Sequence, residues 1–542
     1  MGKPSAAALA ELKDLYQQKG LPEKPDIIVI LTDQERYPTH WPAELVDSLT
    51  SWKRLQKHGL TFDRAYTSAC MCTPSRGVML TSNYSNLTGL TMTPSTLSYA
   101  NPRIPKIAAL MQAQGYDTVW KGKWHLSQPA DIMQWTQLDV ANLQEQYGFS
   151  GWNPPDAGTV TGLSTYDSWA TAGSGKPGHV NAANDRRYLR KDGEGVEAHG
   201  FGEGALEFLE ARAAGRQRKD PAALRPFLMF MSFVNPHDIN FFPWGWQSFG
   251  YTKNDIELGI KLPDNAVDTL LTKPTIQTHI RDVLNACQAI IGQETLTGGA
   301  HGLPGDPHGI QLDPINNIHN YINFYAYMTK YANDRVNEFL DVVEACRFTK
   351  DALIIRTSDH GEMGLSHGMR EKCYNVYEET IHIPLVISNP RLFEGPQNTE
   401  ALYAHVDFLP TLLDLAGGSG VYPLMKGKSL TPVIFHNSVG VQDSVLFCYD
   451  DESGNISDLQ YLSHIRAIRY GQFTYAVYFS PNLPGQYQYE LYDLEKDTPQ
   501  MNNLLFQPHQ ATEPVKVLWR KLQELLNGKL IEAGQTPFPP VR

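Results

Sequence analysis

Three apolar runs, each closing on a cluster of polar side chains, set the tightest limit on how this chain folds. Residues 26–34 run Asp-Ile-Ile-Val-Ile-Leu-Thr-Asp-Gln, residues 226–238 end in Asn235-Pro236-His237-Asp238, and residues 352–362 end in Asp359-His360-Gly361-Glu362. Apolarity that is continuous rather than alternating is how a strand buried on both faces of a parallel sheet reads. Polar groups then stand at the carboxyl ends, where open α/β sheets bind their ligands. Taken singly, Asp33 reads as a turn residue and His237 as a structural histidine. The strand pattern predicts an α/β sandwich followed by a smaller β-rich part.

With 542 residues, 42% of them hydrophobic and 19% charged, the chain can bury a large core, and two unequal domains are expected. Acidic residues outnumber basic ones by 58 to 46, for a formal charge of −12. That balance argues against nucleic acid as a partner and leaves a small anionic substrate open. No uninterrupted apolar stretch of about 18 residues is present, so neither a transmembrane helix nor a membrane partner is expected. Residues 1–24 read as a short amphipathic helical arm without the apolar centre of a secretory signal. The six cysteines, at 70, 72, 287, 346, 373 and 448, are too irregular for a disulfide framework. A cytoplasmic protein with reduced thiols is the expectation. Gly173-Ser174-Gly175-Lys176 has the wrong neighbours, Ala170 and Pro177, for a phosphate-binding loop.

Near the N-terminal end, Cys70-Met71-Cys72-Thr73-Pro74-Ser75-Arg76-Gly77 leads into an apolar run. Pro74 and Ser75 suit the opening turn of a helix, which puts Cys72 at its positive end, where an anion binds. The plainer reading is a buried structural cysteine, the commoner fate of a lone one. Further on, Lys121-Gly122-Lys123-Trp124-His125 closes an apolar segment, and a strand there would send Lys123 and His125 to one face. Residues 321–343 have helical apolar spacing, and beyond about residue 445 short alternating strands appear, then an amphipathic helix over 515–531 and an extended tail of the kind that usually frays.

The string Cys72-Thr73-Pro74-Ser75-Arg76-Gly77 resembles the signature of the type I sulfatases, in the alkaline phosphatase superfamily. Only Cys72 fits its first position, because Cys70 lacks a proline two residues later. Gly115 to Leu126 resembles the second sulfatase signature, and the blocks around Asp33, His237, Asp359 and Lys372 follow in family order, so the resemblance spans about residues 25 to 504. It implies a large central mixed β-sheet flanked by helices, with a smaller C-terminal β-rich subdomain. The implied division is 1–24 as the helical arm, 25–440 as the catalytic domain, 441–510 as the small antiparallel sheet and 511–542 as the terminal helix and tail.

For the site, the resemblance implies that Cys72 is oxidised to formylglycine by a maturation enzyme. Asp33, Gln34, Asp359 and His360 would hold one divalent cation together with residue 72, with Ca²⁺ first and Mn²⁺ or Mg²⁺ as alternatives. Arg76 and His125 would orient the aldehyde hydrate, whose hydroxyl attacks sulfur, and His125 is also a candidate base for its collapse. Lys123 and Lys372 would bind the sulfate oxygens, and His237 or Lys372 would protonate the departing oxygen. The reaction implied is hydrolysis of aryl or alkyl sulfate monoesters by a homo-oligomer, a dimer or a tetramer. Many relatives carry Asp-Asp where this chain has Asp33-Gln34, a substitution shared with the phosphonate monoester hydrolases. Phosphonate or phosphodiester hydrolysis on the same scaffold is therefore the alternative, and Lys123-x-His125 tilts the choice to sulfate. A non-catalytic metal- or anion-binding protein with an unmatured Cys72 is the reading from a different class. The aromatics of 241–246 are candidates for substrate selection.

Overall fold

The three apolar runs pair with one another as neighbouring parallel strands. The structure is a computed structural model that describes residues 6–129, 136–152, 156, 185, 188–189, 203–242, 258–285, 314–418, 424–436, 438–450 and 461–541. Its strands are β1 (Asp26–Asp33), β2 (Gly59–Phe62), β3 (Ala65–Tyr66), β4 (Asp117–Gly122), β5 (Phe227–Pro236), β6 (Ala352–Ser358), β7 (Leu385–Ser388), β8 (Gln397–Thr399), β9 (Tyr403–Ala404), β10 (Ser444–Tyr449), β11 (His464–Tyr470), β12 (Phe473–Phe479) and β13 (Gln488–Asp493). The large sheet has the order β4-β5-β1-β6-β7-β2-β8. Strands β4, β5, β1 and β6 are parallel, and β7 runs against both β6 and β2, which makes the sheet mixed.

Continuous apolarity in β1 has a direct cause. Ile27, Val29 and Leu31 enter one core with Trp120, Phe230 and Leu412, while Ile28 and Ile30 enter the opposite core with Phe339 and Leu209. The covering layers come from α1 (Ala6–Lys19), α2 (Cys72–Thr81), α3 (Ala205–Gln217), α4 (Pro314–Ala345) and α5 (Phe408–Leu415). Each such side chain, fully buried, contributes on the order of 1.5–3 kcal/mol. The N-terminal arm joins the first core through Leu12 and Tyr16, whose hydroxyl donates to the Leu415 carbonyl at 3.0 Å.

Strands β10 to β13 form an antiparallel sheet in sequence order, covered by α6 (Glu513–Glu532) through Leu522, Leu526 and Leu530. This sheet is tied to the stretch that leads into α2, because the Cys448 N–H donates to the Ser68 carbonyl at 2.9 Å. Two expectations are corrected. The tail does not fray: Phe538 exchanges hydrogen bonds with Asn527 (2.8 and 2.9 Å) and sets its ring 5.3 Å from that of Phe479. Lys123 and His125 are not pleat-related either, because β4 stops at Gly122, which has φ +92°, and His125 itself has φ +59°. A Cβ at Gly122 would sit 1.9 Å from the Ser232 carbonyl oxygen, so glycine alone allows the bend that delivers both side chains.

Candidate active site

Asp33, Lys123, His237 and Asp359 all lie at or just past the carboxyl ends of β1, β4, β5 and β6. The α2 helix is buried along its whole length and starts at Cys72, so its positive pole faces the same space. One turn on, Arg76 bonds four protein groups: Asp359 Oδ2 (2.9 Å), Asp33 Oδ2 (3.0 Å), the Lys123 carbonyl (2.8 Å) and Ser232 Oγ (3.0 Å). Four of the five donors of its fork are thereby taken, and Arg76 binds the strand ends into one frame. Ser75 Oγ donates to the Asp359 carbonyl at 2.5 Å, which fixes α2 on β6.

Asp33, Cys72, Asp359 and His360 are all buried, and each offers a donor atom within 4.8 Å of the others. His360 Nε2 stands 3.2 Å from Cys72 Sγ, and Nδ1 is held by the Gly361 carbonyl at 3.0 Å. Glycine is required at 361, since a Cβ there would meet the Glu379 carbonyl oxygen at 2.0 Å. Burial works against charge on Asp33, but Lys123, His237 and Arg76 hold its carboxyl well below the usual range. Asp359 goes the other way, pushed up by burial and by repulsion from Asp33. Burial lowers His360, yet Asp359 and the Cys72 sulfur lift it to about 9. A divalent cation among two carboxylates and an imidazole relieves both the repulsion and the desolvation, so the residues present fit one. The sulfur of Cys72 occupies the place an oxygen of formylglycine would take, a harder donor better matched to such a cation.

Gln34 lies beside this set. It has φ +68°, its N–H donates to Asp359 Oδ1 at 3.1 Å, and its side-chain Oε1 accepts from Lys372 Nζ at 2.6 Å. Lys123 Nζ sits 2.7 Å from Asp33 Oδ2 and 3.8 Å from Cys72 Sγ. Burial opposes the charge of Lys372, but Glu371, Cys72 and Asp33 hold its ammonium well above its usual range. His125 and His237 are pushed well below theirs, by burial first and then by Lys123. In each, Nδ1 is buried without a hydrogen-bond partner, as a group waiting for a ligand would be.

Several contributors had no signal in the local sequence. Asp156 accepts the N–H groups of Trp124 (2.9 Å) and His125 (2.8 Å), fixing the bend after β4. Asp185 does the same for Val234 and Asn235 (2.7 and 3.3 Å) ahead of His237, and burial pushes its carboxyl up to about 7. The Asn240 side-chain amide lies 3.1 Å from both His237 Nε2 and Gln34 Nε2 and reaches Glu371 as well. Each carboxylate lies far in sequence from what it supports, and only alignment across relatives could have singled them out. Phe242 packs on Tyr321 and Phe324, as part of the core. Trp244, Trp246 and the 173–176 loop lie outside the described residues. Among the described residues, Cys70, Cys72, Cys346, Cys373 and Cys448 form no disulfide. No described helix is long and apolar enough to cross a membrane.

The family profile described as Sulfatase matches residues 25–419, and one described as N-sulphoglucosamine sulphohydrolase, C-terminal, matches 365–528. An N-acetylglucosamine-6-O-sulfatase from Bacteroides thetaiotaomicron is 24% identical over 545 aligned positions, covering 96% of this chain and 89% of the relative. A solved structure in complex with its substrate D-glucosamine-2-N,6-O-disulfate superposes with a TM-score of 0.61 at 19% identity, over 94% of this chain and 98% of the other. The phosphonate monoester hydrolase of Agrobacterium radiobacter gives 0.59 at 18% identity, over 93% and 96%. These two share the fold. With the profile spanning most of the chain, the protein belongs to the sulfatase family, as a hydrolase of sulfate monoesters.

Proposed function

We propose that the chain cleaves sulfate esters of alcohols or phenols with residue 72 as formylglycine and one Ca²⁺ held by Asp33, Gln34, Asp359 and His360. The observation that carries this reading is the convergence on Cys72 Sγ of Lys123 Nζ (3.8 Å) and His360 Nε2 (3.2 Å), with Asp33 Oδ1 at 3.7 Å. A hydrated formyl group supplies the hydroxyl nucleophile, and a bound cation supplies neutralising charge for the sulfate oxygens. Lys123 and Lys372 bind those oxygens as fixed, buried cations, which act strongly where water is excluded. Arg76 holds Asp33 and Asp359 and has one N–H left for residue 72. His125 is the candidate base that takes a proton when the hydrate collapses. The proton for the departing oxygen comes from His237 or Lys372. Acidic neighbours favour the protonated form of Lys372, whereas burial and Lys123 disfavour that of His237. Maturation of Cys72 calls for a formylglycine-generating enzyme as partner.

Asp33-Gln34 with Asp359-His360, together with the fold shared with a phosphonate monoester hydrolase, supports a side activity on phosphonate esters. Matured protein assayed on paired aryl sulfate and aryl phosphonate monoesters should show the higher kcat/KM on sulfate. Dominant phosphonate turnover would overturn the reading. The relative adds N-acetylglucosamine 6-O-sulfate to the esters to assay.

A further inference from the structure

Behind Gln34 lies a fully buried carboxylate, Glu362, to which the reaction assigns no role. Its Oε1 accepts three hydrogen bonds: Tyr321 Oη at 2.8 Å, the Glu371 N–H at 2.9 Å and the Gly364 N–H at 3.1 Å. Its Oε2 accepts Gln34 Nε2–H at 2.5 Å. Two further groups stand near that amide nitrogen, the Asn240 side-chain amide at 3.1 Å and Glu371 Oε2 at 3.5 Å. The Gln34 backbone is pinned separately, its N–H on Asp359 and its carbonyl accepting from Tyr325 Oη at 2.6 Å, so only the rotation of the amide remains to be decided. An amide whose nitrogen faces a carboxylate must turn its oxygen the other way, and here that oxygen faces Lys372.

We propose that Glu362 is a positioning residue that sets the Gln34 amide oxygen-inward and so completes the cation site. This rests on Gln34 being a cation ligand. Glutamine at 362 would have to keep its oxygen on the three Oε1 donors, which leaves its NH₂ facing the NH₂ of Gln34. Relief comes from turning the Gln34 amide over, which presents nitrogen instead of oxygen to Lys372 and to a cation. Glutamate at 34 reverses the pairing, because its carboxylate accepts from the new amide and still offers an oxygen inward.

The test is calorimetric titration of CaCl₂ into matured protein stripped with EDTA. E362Q should weaken Ca²⁺ binding by about tenfold or more, the range found when a ligand's supporting partner is removed. The E362Q/Q34E double variant should recover to within a few-fold of the unsubstituted protein, a rescue that loss of packing alone cannot produce. Wild-type affinity in E362Q overturns the proposal. So does a double variant that binds no tighter than Q34E, a comparison that does not require E362Q to fold alone. Failure of the unsubstituted protein to bind Ca²⁺ overturns the cation reading beneath it.

Discussion

Two buried polar clusters sit in this molecule and are built on opposite rules. Around Glu490, on β13, Gln277, Tyr478 and Tyr492 donate at 2.6 to 3.1 Å to its oxygens, with Tyr377 at 3.5 Å, and Lys273 donates on to Tyr492 at 2.9 Å. Around Cys72, two carboxylates crowd one arginine, and two histidine nitrogens are left unmatched. A matched network stabilises the join between the 264–277 segment and the C-terminal sheet. An unmatched one keeps charge and hydrogen-bonding capacity in reserve for a ligand, so each should respond differently to the same kind of cut.

The largest contrast is expected from Cys72→Ala. Turnover should fall by about 10⁴-fold or more while the unfolding midpoint barely moves, measured by initial rates and calorimetry. Near-normal turnover would remove the nucleophile assignment. Lys123→Ala should cost about 10²–10³-fold in kcat/KM, the scale of losing one fixed charge-stabilising donor, again with little effect on stability. Glu490→Ala should do the reverse. Buried donors lose their acceptor at a cost of about 3 kcal/mol or more, read by denaturant unfolding, with kcat of the folded fraction unchanged.

A smaller test uses pH. His405 supports the site from below, with Nε2 3.0 Å from the Ser358 and Asp359 carbonyls and Nδ1 3.0 Å from Tyr403 Oη. Burial lowers its pKa to about 4. In the unfolded chain it titrates near 6.5, so the unfolded state binds its proton first as pH falls. The stability contributed by neutral His405 is complete above about pH 6.5 and lost by about pH 4, a change of about 3 kcal/mol. Stability against pH for the parent and for His405→Asn should diverge in slope across that window, and parallel curves would contradict the assignment.

How much was legible follows the same division. The runs of β1, β5 and β6 announced themselves because two-sided burial demands unbroken apolarity, and the residues at their ends came with them. The helix that starts at Cys72 was readable from Pro74 and Ser75. The reversed direction of β7 and the two-residue strands β3 and β9 were not, since pairing partners far along the chain decide them. The route by which Lys123 and His125 reach the site depends on a left-handed Gly122, which alternation cannot express. Asp156, Asp185 and Glu362 act through backbone N–H groups or another side chain, so no spacing rule finds them.

The most direct test of the account is peptide mass spectrometry across Cys72 on active protein from its native host. The prediction is loss of the thiol sulfur with gain of a carbonyl, partly hydrated. An intact thiol at position 72 in protein that turns over sulfate esters would contradict it.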